Sequence, residues 1–303
     1  MLKNTRPAVD TAFKPLAGLS RDGQPLNDNR VPSPDLAPWI GRLWASDVTV
    51  PPGYQVQSSI FDDNICIRIQ LAGNWSAPSR SGPHSHGREA LFLGPHTFLM
   101  PITVTTKADG RLISMGMSLR PGVMSAMQGV DTSRLVDHIH ICQDFDLFGY
   151  EGIDRIAAAG GPEGWMDVME QLMREALDRF GWNRPDPVST AFEQLTYIDP
   201  QASVTDFARE VGLSLRQLER IVRRDFGMPP KQILRRARAL DMASWLRGLA
   251  DANEAEEIAL RYFDQSQMTR EFTDLFGMSP RRFLQQPNPL LALGLGRRQA
   301  QRL

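Results

Sequence analysis

The chain has 303 residues, of which 42% are hydrophobic and 23% are charged, and this composition excludes a disordered or collagen-like protein. Its length is sufficient for two domains, each with its own core. The two cysteines, Cys66 and Cys142, cannot form a disulfide framework, so a reducing cytoplasm is the expected location. No apolar run approaches the roughly 18 residues of a membrane-spanning helix, and we expect neither export nor membrane insertion.

The net charge of -1 hides an asymmetry between the two parts of the chain. Residues 1–198 carry 17 basic and 22 acidic residues, whereas residues 199–303 carry 17 basic and 13 acidic residues. Within 209–238 there are nine basic and three acidic residues. Such a stretch is either a solvated helix face or a surface that contacts phosphates, and its place within a motif decides between the two.

Residues 1–38 are rich in Pro, Asn, Asp and Gly, and they predict an irregular N-terminal arm to which we assign no function. From residue 39 the apolar residues alternate in short runs typical of strands, separated by turn residues. These runs cover residues 40–50, 54–61, 65–71, 90–93, 97–106 and 111–119. Several short strands at this spacing predict an antiparallel barrel or sandwich, and a barrel often encloses a small-molecule cavity.

The pattern becomes helical after residue 121, most clearly in 164–180, where one face carries an apolar stripe. That stripe can pack on the β-rich domain or on a second copy of the chain. A segment with two prolines and a glycine follows, and we assign 182–189 as the linker between the domains. The first domain, including its C-terminal helices, is therefore expected to span 39–181.

The most specific signal is an internal repeat with an offset of 50 residues. Phe226-Gly227-Met228 and the six residues after it recur, with changes, from Phe276-Gly277-Met278 to Leu284. The correspondence extends backwards to the pairs Gln217 and Gln267, and Arg220 and Arg270. Two copies of one supersecondary unit are therefore present.

The first copy has the features of two helices joined by a tight turn. Ser203 is placed to cap a helix that ends at Gly212, and Ser214 to cap a second helix that buries Leu218 and Val222. The outward face of the second helix carries Arg216, Gln217, Glu219, Arg220, Arg223 and Arg224. A helix, a glycine turn and a polar, arginine-rich helix indicate a helix-turn-helix, whose second helix enters the major groove of DNA.

In the second copy, Asp264 caps a helix whose outward face carries Gln265, Ser266, Gln267, Thr269 and Arg270. Between the copies, Pro230 begins a helix that continues through 231–249, roughly 28 Å long. This is close to the spacing of about 34 Å between successive major-groove faces on one side of B-DNA. One chain could thus contact two adjacent half-sites.

These residues resemble the DNA-binding domain of the AraC-type transcription regulators. The resemblance rests on DFAREVGLSLRQLERIVRRDFGMPPKQILRRARALDMASWL and EEIALRYFDQSQMTREFTDLFGMSPRRFL, and it covers about 190–286. It implies a cytoplasmic, usually dimeric regulator with a variable sensing half, cupin-like in many members. By position it places Arg216, Glu219 and Arg220 of the first unit at base edges, and Arg223 and Arg224 at phosphates. In the second unit it places Gln265, Ser266, Gln267, Thr269 and Arg270 at base edges.

The second unit departs from the family pattern. Five residues, including Gly212, separate Ala208 from Ser214, whereas four residues without a glycine separate Ala259 from Asp264. The family usually has a longer turn with a glycine there, so the first helix of this unit is expected to be shorter and its contacts to differ.

A cupin-like metal site is suggested by His84, His86, Glu89 and His96. The spacing from His86 to Glu89 is shorter than that pattern usually has, however, and the two histidines lie in a loop-like sequence. We therefore predict no metal and no cofactor. The sequence has no Ser/His/Asp order, phosphate loop or CxxC motif, and we expect the protein not to be an enzyme.

The expected fold class is α+β with two domains, a β-rich cupin-like barrel with flanking helices and an all-α domain with two helix-turn-helix units. We expect residues 287–303 to form a disordered tail. The predicted function is a homodimeric transcription regulator that binds double-stranded operator DNA and responds to a small-molecule effector. The alternatives are a metal-dependent cupin enzyme fused to a DNA-binding domain, and an architectural DNA binder without an effector.

Overall fold

The computed structural model describes residues 6–79, 82–141, 151–250 and 265–300, with the backbone alone at 79, 84, 86, 128 and 265–267. The N-terminal half is built from eleven described strands, and every named strand pair is antiparallel. The strands are β1 (Lys14–Pro15), β2 (Asp28–Arg30), β3 (Ile40–Thr49), β4 (Gln55–Ile60), β5 (Cys66–Ala72), β6 (Asn74–Ser79), β7 (Gly82–His86), β8 (Glu89–Leu93), β9 (Met100–Thr105), β10 (Arg111–Leu119) and β11 (Ile139–Ile141).

The strands form two sheets. The larger has seven strands in the order β1-β3-β10-β5-β8-β11, with β2 also paired to β3, and the smaller has the order β4-β9-β6-β7. One apolar cluster lies between the sheets and includes Trp44, Trp75 and Met100. In the described part of the chain the two sheets remain separate, so the domain expected as a cupin-like barrel is there a sandwich of two sheets.

Helices cover the outer face of the large sheet. They are α1 (Val123–Gln128), α2 (Gly152–Ala159) and α3 (Gly161–Phe180), and a short 3-10 turn at Thr132–Arg134 lies between α1 and β11. The apolar stripe of α3, with Trp165, Met169 and Met173, packs into a core shared with Ile67 and Met115. This stripe therefore belongs to the core of its own domain, which is one of the two possibilities that its sequence allows.

The C-terminal half is helical. Its described helices are α4 (Pro187–Ile198), α5 (Val204–Glu210), α6 (Leu215–Phe226), α7 (Pro230–Leu246), α8 (Gln265–Phe276), α9 (Pro280–Gln285) and α10 (Pro289–Ala300). The helix α4 begins inside the predicted linker, because Pro187 can occupy a first helical turn and Asp186 caps it by accepting a hydrogen bond from the Val188 N–H. None of the described helices is both long and apolar enough to cross a bilayer.

The expectation of a disordered C-terminal tail is wrong for residues 289–300. The helix α10 buries Leu291, Leu295, Arg297 and Arg298. Its sequence has weak helical signals, with two glycines, and the helix is stabilised by partners that lie far away along the chain. The N-terminal arm is also more ordered than expected, since β1 and β2 pair with β3.

Candidate nucleic-acid interface

The first helix-turn-helix unit consists of α5, a turn and α6. The side chain of Ser203 accepts a hydrogen bond from the Asp206 N–H and so caps α5. Gly212 adopts a left-handed conformation with a φ of +71°, which an L side chain rarely adopts. Because Gly212 turns the chain at this point, α6 can start three residues later and cross α5.

The helix α6 begins with a complete capping box. The Ser214 side chain accepts a hydrogen bond from the Gln217 N–H at 3.3 Å, and the Gln217 Oε1 accepts one from the Ser214 N–H at 2.9 Å. Both residues were expected at these positions from the sequence. The bond to Ser214 also fixes the orientation of the Gln217 side chain, whose amide NH₂ group remains a donor.

One face of α6 is buried and the opposite face is open to solvent. Leu218, Val222 and Phe226 pack against Phe192 and Phe207 in one core. The opposite face lines a shallow groove formed by Ser214, Arg216, Gln217, Glu219, Arg220 and Arg223. Among the described residues, no ion pair engages Arg216, Arg220 or Arg223. These guanidinium groups are therefore available to an external anion.

Arg224 lies in a different environment from these three. Its Nε donates to Asp225 Oδ1 at 2.6 Å, and its Nη2 lies 3.4 Å from Asp186. The hydrogen bond to Asp225 raises the pKa of Arg224. The sequence placed Arg224 at a phosphate. In the structure its guanidinium is held by these carboxylates at the C-terminal end of α6, which we call the base of α6. Periodicity could not reveal the contact with Asp186, because Asp186 precedes α4 and lies 38 positions away along the chain.

The base of α6 is fixed to the N-terminal half. The buried Asp225 accepts hydrogen bonds from the Ser125 hydroxyl at 2.7 Å and from the Ser189 hydroxyl. Directly after α6, Gly227 has a φ of +79°, and a Cβ atom there would lie 2.4 Å from Val136 Cγ2. The N-terminal half therefore contacts the end of the helix whose exposed face carries the free arginines.

Several basic residues of the stretch 209–238 are engaged inside the protein. Arg235 pairs with Asp274, and Arg238 pairs with Glu271 at 3.0 Å, which joins α7 to α8. Arg236 is fully buried and donates to the backbone oxygens of His96 and Asp63. The surface that can face phosphates is consequently smaller than the charge count indicates.

The second unit is described only in part. Its expected first helix, around 258–262, lies outside the described residues, and so do the side chains of Gln265, Ser266 and Gln267. Thr269 and Arg270 are exposed on α8. The opposite face of α8 is buried through Phe272 and Phe276, whose rings stack with centroids 4.1 Å apart. At Thr269 and Arg270, α8 therefore exposes the face that the sequence predicts to be exposed.

The residues considered for a metal do not come together as a site in the described part of the chain. His96 is fully buried, and its Nδ1 accepts a hydrogen bond from the Asp62 N–H at 2.9 Å. The side chains of His84 and His86 lie outside the described residues. No group of three or more His, Cys, Asp or Glu among the described residues could hold a metal ion.

The fold and the face of α6 define a helix-turn-helix DNA-binding domain. A family model described as a helix-turn-helix domain matches residues 207–286. This domain is of the AraC type, and the resemblance found in the sequence is confirmed for the C-terminal part of the chain. None of the curated proteins matches the chain.

Three solved structures are similar to parts of the chain. ToxT from Vibrio cholerae O395 is 9% identical over 80% of this chain and 96% of that chain, with a TM-score of 0.46. The AraC-like transcriptional activator CuxR is 16% identical over 71% of this chain and 86% of that chain, with a TM-score of 0.28. A cupin domain from Bordetella pertussis Tohama I is 10% identical over 32% of this chain and 96% of that chain, with a TM-score of 0.21.

Proposed function

We propose that this protein is a sequence-specific transcription regulator of the AraC type, and not an enzyme, that binds operator DNA through its two helix-turn-helix units. The observation that carries the proposal is the exposed face of α6, where three arginines that no ion pair within the described ranges engages lie beside Gln217 and Glu219. Arginine pairs with guanine, glutamine with adenine and glutamate with cytosine in the major groove. In this proposal Arg216, Glu219 and Arg220 contact bases, and Arg223 contacts a phosphate.

In the second unit, Gln265, Ser266, Gln267, Thr269 and Arg270 are the proposed contacts with the second half-site. The helix α7 joins the two units, and its 17 residues correspond to roughly 25 Å. The ion pairs from Arg235 and Arg238 fasten α7 to α8 and support a fixed spacing of the two reading helices. Operator boxes about one helical turn apart are therefore expected.

A small-molecule effector, a cytoplasmic location and a homodimeric state complete the proposal. The contacts of Asp225 with Ser125, and of Gly227 with Val136, support control by the N-terminal half. A change in the loop and helix that carry Ser125 and Val136 would shift the base of α6. A ligand can cause such a shift, and so change the affinity for DNA, only if it binds the two arrangements with different affinity.

The proposal is tested by selecting duplexes from a randomised library with the full chain, at one stated physiological salt concentration. Two enriched boxes about one turn apart support it, and the Arg220→Ala variant should lose preference at one position. The matched control is Arg209→Ala, because Arg209 is exposed on α5 and pairs with Asp206. No enrichment in the wild-type chain would contradict the proposal.

A further inference from the structure

The small sheet ends at β4, and one edge of this strand has no partner strand. Among the described strands, β4 pairs only with β9. The Ser59 N–H points away from β9, since it donates to Asn288 Oδ1 at 2.9 Å. Backbone groups of alternate residues point to the same edge of a strand, so those of Gln55 and Gln57 point outward as well. Within the described ranges, no backbone hydrogen bond engages these outward groups.

The sequence of β4 does not protect this edge. Natural sheets blunt a free edge with charged side chains, prolines or bulges. The strand reads QVQSSI, without a charge or a proline, and its register with β9 runs unbroken from Gln55 to Ile60. An edge of this kind is a template on which another extended chain can add a strand.

The free edge lines a groove of about 650 Å³ that both halves of the molecule form. Residues 9–12 of the N-terminal arm line it, and so do Met278 and residues 286–288 of the C-terminal half. Ala8 holds the arm in place, because its N–H donates to the Leu284 oxygen at 2.8 Å and its oxygen accepts a hydrogen bond from Arg247. The groove is therefore formed before any partner binds.

Both ends of the groove are closed. At the start of β4 the Tyr54 hydroxyl donates to the Asp10 carboxylate at 3.1 Å, and at the other end Asn288 Oδ1 accepts from Ser58 and Ser59. Between residues 54 and 59 an extended strand rises roughly 17 Å, which is the length of about five residues.

The closed ends favour a short peptide over a second copy of the chain. In an antiparallel pair of β4 edges, the arm of the copy would meet the loop that carries Asn288, and its own loop would meet the first arm. A peptide carries no such flanking elements, so it can lie along the free edge between the two ends.

Asp10 determines the charge of the groove. Among the described residues that line the groove, it is the only one with a charged side chain. Its carboxylate accepts hydrogen bonds from the Ala12 N–H at 3.0 Å and from the Tyr54 hydroxyl. An ionised carboxylate has about four acceptor positions, so it can also pair with a cation. The groove therefore complements a basic partner.

We propose that the groove beside β4 binds an extended segment of another protein, about five residues long, with a lysine or arginine at the end that lies beside Asp10. The segment adds a strand to the small sheet through the outward backbone groups of Gln55 and Gln57. Because Met278 follows α8 by two residues, the bound segment contacts the sandwich and the DNA-binding half together. This inference goes beyond the proposed function and does not depend on it.

The test begins with a display library of peptides randomised at five positions, selected on the immobilised full chain without DNA. The enriched peptides are expected to be rich in β-branched residues and to carry a lysine or arginine at one common end. One enriched peptide is then synthesised with a fluorescent label, and its dissociation constant is measured by fluorescence anisotropy.

The backbone contact is tested with Gln57→Pro, which removes the outward N–H. An edge strand tolerates proline where the N–H faces away from the ladder. The loss of this hydrogen bond should weaken peptide binding about tenfold. The matched control is Gln57→Thr, which keeps the N–H and should bind as the wild type does. Far-ultraviolet spectra check that both variants are folded, and a peptide with alternate amides methylated tests the same bonds on the unchanged protein.

The charge contact is tested with Asp10→Asn. The amide oxygen can still accept from the Ala12 N–H and the Tyr54 hydroxyl, while the charge is lost. This variant should bind the basic peptide about twofold to fivefold more weakly. A peptide with glutamine in place of its basic residue should bind the wild type and Asp10→Asn equally.

Three results overturn the proposal. The first is that no peptide is enriched, or that acidic peptides are enriched. The second is that Gln57→Pro, or the methylated peptide, binds as tightly as the unmodified pair. The third is a full chain that sediments as a dimer and becomes a monomer on Gln57→Pro, because the edge then belongs to a second copy. DNA is absent throughout, so failure here leaves the outcome of the duplex selection unaffected.

Discussion

The guanidinium groups of the stretch 209–238 fall into two sets according to what they contact. Arg216, Arg220 and Arg223 face solvent on α6, and no ion pair among the described residues engages them. Arg224 and Arg236 are held by oxygens of the protein itself. The first set can neutralise DNA. In the second set, Arg224 pairs with Asp225 and Asp186 of the C-terminal half, and Arg236 joins that half to the backbone oxygens of His96 and Asp63.

We predict that Arg220→Ala and Arg223→Ala weaken DNA binding in different ways. The loss of a base contact at Arg220 should cost about 1–3 kcal/mol at one base position and relax the preference there. The loss of a phosphate contact at Arg223 should weaken binding to all duplexes. It should also lower the salt slope, which is the steepness with which the logarithm of the binding constant falls with the logarithm of the salt concentration, by about one. Binding isotherms on matched and mismatched duplexes at several salt concentrations measure both effects, and identical behaviour of the two variants contradicts the assignment.

Arg224→Ala should act on stability, because it leaves the buried Asp225 without its cation. Its salt slope should equal that of the wild type, and its free energy of unfolding should be lower by about 1–3 kcal/mol. Denaturant titration and DNA binding of the same preparation check this prediction. A lower salt slope with unchanged stability would instead indicate that Arg224 contacts a phosphate.

His96 should make the protein sensitive to acid. Burial lowers the pKa of His96 below its ordinary value, so the folded protein resists the proton that the unfolded chain accepts. Stability is then fully present above the unfolded pKa of about 6.5 and is lost as the pH falls. The free energy of unfolding should therefore fall between pH 7 and pH 5.5.

The variant His96→Asn tests the origin of this loss, since its Oδ1 can accept the hydrogen bond from Asp62 N–H without titrating. Its free energy of unfolding should change less between pH 7 and pH 5.5 than that of the wild type. Equal changes in the two proteins would assign the acid sensitivity to other groups.

At the scale of elements, the start of α6 depends on Ser214. Loss of its side chain leaves the Gln217 N–H without its partner at the end of the helix. We predict that Ser214→Ala lowers the free energy of unfolding by about 0.5–2 kcal/mol. Thr205→Ala is the control, because Thr205 is exposed in the first turn of α5. Denaturant titrations of both variants measure the difference, and equal effects would show that the cap contributes little.

The elements that the sequence predicts are those specified by nearby residues. Alternation in 65–71 and the capping residues of α6 correctly indicated β5 and α6, as the structure shows. The strands β6, β7 and β11 were missed, because Asn74–Ser79 has only two apolar residues in alternation before a proline, Gly82–His86 has none, and Ile139–Ile141 is very short. Their formation depends on pairing with distant strands, which a local pattern does not contain.

The burial of Arg68 and Gln70 on β5 could not be predicted from the sequence for the same reason. Cys66, Arg68 and Gln70 alternate with apolar residues, and this pattern is typical of a strand with one solvated face. In the structure both faces of β5 are buried, because the small sheet covers one and the helices cover the other. The alternation correctly predicted the strand, but it contained no information about the small sheet that covers its polar face.

At the scale of the whole molecule, the two halves share their cores. Phe61 of the N-terminal half packs on Phe276 of α8 with ring centroids 5.3 Å apart. The Leu99 N–H donates to the Leu275 oxygen at 3.0 Å, and Leu293 of α10 lies in the cluster between the two sheets. Each half therefore lacks part of its core when the other is removed.

We predict that the full chain unfolds in a single cooperative transition. Near-ultraviolet signals from Trp44 and Trp75 should coincide with the far-ultraviolet loss of helix. Phe61→Ala should shift both signals together and cost about 3–5 kcal/mol. Phe98→Ala is the control, since Phe98 is 38% exposed. Two separated transitions in the wild type would show that the halves unfold independently.

The sequence indicated two domains joined by a proline-rich linker, and it contained no sign of this shared core. A contact such as Phe61 with Phe276 joins residues more than 200 positions apart along the chain. Composition and periodicity describe neighbours in sequence, so they identify the parts and leave the packing between the parts undetermined.

The position of α10 also has a consequence for biosynthesis. A ribosome adds roughly 5–20 residues per second, and Leu293 is made long after the last strand of the sheets that it packs between. During an interval on the order of ten seconds, the nascent sandwich presents an open apolar cleft and an Asp62 without its Arg297. The newly made N-terminal half is thus a natural client for chaperones, and it completes its core only when the last helix has left the ribosome.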